Sequence, residues 1–140
     1  MESPDRPADL HQVIVEHCEA GRPFAVVTVL RTEGSTPVKA GAKALVDASG
    51  AIRGTVGGGA VEAEAQRQAA AAIRHSQPVV FDFPLQGASL ADGRPICGGV
   101  MRLLVDPAAR HQHATWAAAA EARRNRQTGV LLTQVEHTRA

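Results

Sequence analysis

The 140-residue chain has no tyrosine, and Trp116, Phe24, Phe81 and Phe83 are all of its aromatic residues. So few rings do not build the stacking platforms that hold bases or sugars, and the core must be aliphatic. Two cysteines, Cys18 and Cys97, are too few for a disulfide scaffold, and neither has a second Cys or a His at the close spacing of a structural zinc site. Charge of one sign is also missing: Lys plus Arg is 15 and Asp plus Glu is 14, a net of +1. A phosphate backbone or an anionic membrane is therefore not the expected partner. No run approaches the roughly 18 apolar residues that span a bilayer, and the opening MESPDRPADL lacks the charged-then-apolar order of a secretory signal. The expectation is a cytoplasmic protein with residues 1–140 as a single domain, long enough to bury about two thirds of its unfolded surface.

What the chain does have is helix former, β-branched runs and glycine in clusters. Leu10, Val13, Ile14 and His17 fall at helical spacing, with Gly21 placed to end the helix in a left-handed cap. Phe24 to Leu30 is a β-branched run with little alternation, which suits a central strand covered on both faces. Residues 31–42 collect turn formers into a polar loop. Lys43 to Asp47 and Ala51 to Val56 read as a hairpin around Ala48-Ser49-Gly50. Three glycines then open onto an Ala-rich helix that Pro78 ends. Val79 to Phe83 and the stretch from Val100 to Pro107 read as strands, residues 108–126 as a second Ala-rich helix, and Val130 to Val135 as a last strand. The fold class expected is α+β, a mixed sheet flanked by helices, in the order αββαββαβ. Residues 121–135 (EARRNRQTGVLLTQV) echo residues 16–30 (EHCEAGRPFAVVTVL), with Thr133 in the place of Thr28, although the match is too short to establish a duplication.

Three glycine-rich segments carry the candidate chemistry: Gly34-Ser35-Thr36-Pro37, Gly57-Gly58-Gly59 and Cys97-Gly98-Gly99. Glycine is entropically costly, so three together ahead of a helix point to backbone that approaches something closely. Free amides at a helix N-terminus, aided by the dipole, make an anion site, and phosphate or pyrophosphate is the matched ligand. A tight strand-to-helix turn is the alternative. Neither G-x-G-x-x-G nor the phosphate-loop pattern fits, because Ala60, Val61 and Glu62 follow Gly59. Glu62 is then either a hydrogen-bond acceptor for a ring N–H or a partner of the helix dipole. The amides of Gly98 and Gly99 could stabilise a Cys97 thiolate, whereas a small buried thiol is the plainer reading. Cys18, on the first helix, is a packing residue. Lys39, Lys43 and Arg53 could complement an anion or be solvated surface charges.

Taken in order, TEGSTPVKAGAKALVDASGAIRGTVGGGAVEAEA and, about 35 residues on, ICGGVMRLLVDP resemble the XdhC/CoxI family, accessory proteins of molybdenum hydroxylases such as xanthine dehydrogenase and aerobic CO dehydrogenase. The resemblance runs from about Val26 to Val105. It implies a maturation factor, an accessory protein rather than an enzyme, that binds the molybdenum cofactor (molybdopterin, or its dinucleotide form), assists its sulfuration and delivers it to an apo-hydroxylase. It also implies cofactor contacts at Gly34, Ser35, Thr36, Gly57, Gly58, Gly59, Glu62, Cys97, Gly98 and Gly99, with Cys97 as the ligand to the metal. A cysteine desulfurase and a separate Rossmann-domain protein are the further partners it suggests, and the exposed aliphatic edge expected of the terminal strand suggests a second copy of the chain. The family pattern has Cys where this chain has Ala60, and nothing after Val105 supplies the glycine fingerprint of the C-terminal Rossmann domain found in longer members. Two other classes stay open: a Cys97-dependent enzyme acting on a nucleotide or pterin, and a regulatory module for a Rossmann-domain partner.

Overall fold

The computed structural model describes residues 9–85 and 98–136 of the chain. Helix α1 (Leu10–Glu19) starts where Asp9 accepts a hydrogen bond from the His11 amide and stops at Gly21, whose φ of 66° is the left-handed cap. The chain then enters β1 (Phe24–Glu33), β2 (Lys43–Asp47) and β3 (Ile52–Gly54). Helix α2 (Gly59–His75) follows, then β4 (Val79–Pro84), β5 (Val100–Asp106), a 3-10 turn (Pro107–His111) and α3 (His113–Arg124). The five strands form one sheet in the order β3-β2-β1-β5-β4.

Strand β1 is central, and the reason is visible in its composition. Its first six residues, Phe24 to Val29, are all buried, although successive side chains point to opposite faces. Ala25, Val27 and Val29 pack with Val61, Ala65, Ala69 and Ala72 of α2. Phe24 and Val26 pack with Val13, Ile14 and Val15 of α1 and with Trp116 and Ala120 of α3. The sheet is thus the middle layer, with α2 on one face and α1 and α3 on the other. The alanine runs of α2 and α3 supply the small faces on which helices seat close to the sheet.

The α+β class and the single sheet flanked by helices are as the sequence indicates. Four details differ. The pairings are antiparallel throughout rather than mixed: β1 with β2 and β5, β2 with β3 and β4 with β5 all run antiparallel, while α2 carries the chain from edge strand β3 across to edge strand β4. The helix expected over 108–126 begins as a 3-10 turn, with Asp106 accepting from the Ala108 amide and Pro107 in the first turn. The order has three strands before α2 and none at the end: residues 130–135 lie outside the sheet, with Val130 and Leu132 93% and 87% exposed. β1 also runs three residues past Leu30, held to β5 across a register shift between Val29 and Arg31. No helix among the described residues is long and apolar enough to cross a membrane.

Candidate functional site

The loop leaving β1, the segment entering β5 and the turn before α2 meet at one rim of the sheet. At Gly99 a Cβ would fall on the Glu33 carbonyl and 2.7 Å from that of Ser35, so no other residue fits there. The Gly99 amide donates to the Ser35 carbonyl at 3.1 Å, and Gly99 in turn accepts from the Leu85 amide at 2.8 Å. A Cβ at Gly34 would stand 3.1 Å from the Gly99 Cα. Thr36 Oγ1 donates to the Val38 carbonyl at 2.9 Å, which folds the loop back on itself. Pro37 then lies over Gly57, where a Cβ would be 2.8 Å from the Pro37 ring.

Gly57, Gly58 and Gly59 have φ of 124°, 75° and 53°. Three successive positive φ values account for three glycines: the strand-to-helix turn itself needs all of them. Space is a separate matter. Gly57 is packed, whereas a Cβ at Gly58 or Gly59 would meet nothing within 4 Å. At Gly58 the pair φ 75°, ψ 175° belongs to a region that is essentially glycine's alone, so a side chain there is excluded by the backbone. Gly58 is the N-cap of α2 and brings no capping side chain, which leaves the first amides of a 17-residue helix facing outward at an open, side-chain-free surface.

Glu62 is in the first turn of that helix, and its Oε1 accepts from Thr55 Oγ1 at 3.0 Å while Thr55 Oγ1 accepts from the Gly57 amide at 3.1 Å. Thr55 therefore ties the carboxylate to the glycine turn. Composition gave little notice of Thr55; its place seven residues before an acidic first-turn residue is the one signal. Of the ten residues singled out in the sequence, Gly34, Ser35, Thr36, Gly57, Gly58, Gly59, Glu62, Gly98 and Gly99 share this rim. Cys97 lies outside the described residues.

The three candidate cations do not gather there. Lys43 stands opposite Thr28 in the β1–β2 register and donates from Nζ to Thr28 Oγ1 at 2.8 Å, on the α1 and α3 face. Burial pushes its ammonium below the ordinary lysine range. Arg53 pairs with Leu45 and shares that face. Only Lys39 remains on the rim loop. Cys18 is half-buried, with its thiol directed at the Ala109 carbonyl 3.8 Å away, and burial followed by the Glu19 charge pushes its pKa up. It is a packing residue and not a reactive thiolate. Among the described residues no cluster of three or more His, Cys, Asp or Glu could hold a metal ion.

A second concavity, of about 550 Å³, opens on the α1 and α3 face and is lined by Thr28, Lys43, Asp106, Trp116 and residues 131–136. Sequence reasoning did not find it, because its walls come from both ends of the chain.

Residues 17–84 match the sequence model of the XdhC and CoxI family. The uncharacterized protein YqeB of Escherichia coli K12 is 32% identical over 87 residues, which cover 62% of this chain and 16% of YqeB. A crystal structure of a xanthine dehydrogenase from Bacillus halodurans superposes with a TM-score of 0.60 at 21% identity, over 78% of this chain and 35% of that one. At that identity the likeness is one of fold, and this chain spans well under two thirds of either relative. The matched stretch runs from the end of α1 through β4 and holds the β1 loop, the glycine turn and Glu62, so the similarity to the XdhC and CoxI family covers the segments that build this rim.

Proposed function

We propose that this protein is a maturation factor that binds the molybdenum cofactor and assists its sulfuration and its insertion into a molybdenum hydroxylase of the xanthine dehydrogenase or CO dehydrogenase type. The similarity of residues 17–84 to the XdhC and CoxI family supports the class of role. The observation that carries the binding reading is the convergence of three glycine-bearing segments on an uncapped helix N-terminus. Unshielded amides with the positive end of a helix dipole suit the phosphate of a pterin cofactor, or the pyrophosphate of its dinucleotide form. The side-chain-free surface over Gly58 and Gly59 leaves room for it. The Glu62 carboxylate, fixed by Thr55, is placed to accept from a ring N–H and would repel a phosphate, so it belongs beside the pterin.

The residues present fit the phosphate and pterin ends of the cofactor. When bound, the cofactor supplies a dithiolene-held molybdenum as the redox centre of the hydroxylase that receives it. The protein's own part is to hold the anion on the α2 amides, to orient the pterin through Glu62, and to keep the Gly34–Thr36 and Gly98–Gly99 segments packed as a floor.

Ala60→Glu tests the reading. Ala60 is exposed in the first turn of α2, where a carboxylate favours the helix and repels a bound anion. The variant should melt no lower than the wild type yet retain about tenfold less pterin, read by fluorescence after oxidation. Equal retention would remove the α2 amides from the binding site.

A further inference from the structure

Residues 16–30 and 121–135 resemble each other at a spacing of 105, and their structures repeat as well. At the end of α1 the amides of Ala20, Gly21 and Arg22 donate to the carbonyls of Glu16, Cys18 and His17 at 3.0, 3.1 and 3.2 Å. At the end of α3 the amides of Asn125, Arg126 and Gln127 donate to Glu121, Arg123 and Ala122 at 3.0, 3.1 and 2.8 Å. Every one of these six pairs differs by 105. The left-handed residues, Gly21 at φ 66° and Arg126 at φ 54°, differ by 105 too. Such caps are common and alone would prove nothing. The packing of the two helices is the independent observation. They run antiparallel, with Asp9 beside Arg123 at 3.4 Å and Glu19 beside His113 at 3.2 Å. His11 stacks on Trp116, its own counterpart, with ring centroids 6.1 Å apart. A residue that touches its own equivalent lies on a two-fold axis.

The segment after α3 obeys the same correspondence. Leu131, counterpart of the buried Val26, packs against the same cluster. Thr133 lines the same cavity as its counterpart Thr28. Ala25 and Val27 are wholly buried under α2, whereas their counterparts Val130 and Leu132 are 93% and 87% exposed. From Gln127 to Val135 there is no charged residue and no proline, a composition suited to a strand with neighbours on both sides.

We propose that residues 113–136 are the first helix and first strand of a second unit of this fold, arranged about a two-fold axis between α1 and α3. Val130 to Val135 is a strand-insertion surface. Its partner is a polypeptide with the pattern of residues 43–106: strands like β2 and β5 to pair along both edges, and a helix with a small-residue face like that of α2 to cover Val130 and Leu132. A second folded copy of this chain does not fill the gap, because its own β1 already stands between β2 and β5. The inference is independent of the cofactor reading.

The test joins residues 36–106 of this sequence after Ala140, where the 105-residue spacing makes the next position the counterpart of residue 36. The extended chain should stay monomeric, and the amides of 130–135 should exchange about a thousandfold more slowly than in the 140-residue chain. Leu132→Asp should abolish that protection in the extended chain, leave β1 protected, and leave the melting of the 140-residue chain unchanged. Appended residues that exchange freely while 130–135 stay unprotected would overturn the proposal. So would protection of 130–135 that comes from self-association of the 140-residue chain and does not increase on extension.

Discussion

Lys43 shows how one residue's setting differs from its composition. Its ammonium is half-buried on the sheet face, with the Thr28 hydroxyl at 2.8 Å and no carboxylate within ion-pair distance among the described residues. Burial disfavours the charged form, so the pKa in the folded protein lies below the ordinary value of about 10.4. The unfolded chain therefore binds more protons between the lowered value and the ordinary one, and stability rises with pH across that window. Below the lowered value the cost of the buried charge is present in full. In Lys43→Met the cost is absent at every pH. Urea unfolding of the two proteins should show wild type gaining on Lys43→Met as pH climbs toward about 10, and a constant difference would mean that Lys43 is fully solvated.

At the scale of elements, glycines set where strands and helices begin. Gly54 closes β3 with φ 83°, and a Cβ there would lie 2.7 Å from the Lys43 carbonyl and 3.2 Å from the Ala44 Cα. Gly50, in the preceding turn, has φ 88° but open space around it. Gly50→Ala should cost the backbone strain alone, about 1–2 kcal/mol, and Gly54→Ala about 2–4 kcal/mol because β3 must also move away from β2. Denaturant titration of both variants separates strain from collision; equal losses would mean that the sheet edge yields without resistance.

On the scale of the whole molecule, two cores share one sheet. Ala69 of α2 is wholly buried against one face of the sheet, and Trp116, the one tryptophan, is buried on the other. β1 belongs to both cores, residue by residue, so loss of either face should release the other. Ala69→Leu overpacks the α2 interface and should cost about 1–3 kcal/mol. The Trp116 fluorescence midpoint should fall with the circular-dichroism midpoint, although the substitution is on the far face. A fluorescence midpoint that does not move would show two cores unfolding separately.

Local pattern determined a great deal here. The β-branched run from Phe24, the alanine blocks and the turns rich in glycine and proline placed α1, β1, β2, α2, β4 and β5, because each signal acts within a few residues of itself. The glycine segments were legible as a site for the same reason. Only tertiary structure decided the rest. That the three segments share a rim depends on β1 and β5 being neighbours, a pairing between residues about 67 to 80 apart. That Lys43 turns away from the rim depends on strand register, since a shift of one residue would reverse its face. Residues 130–135 carry a strand's composition and yet form none, because a strand is completed by the neighbours that accept its hydrogen bonds, and within the described chain those neighbours already belong to β1.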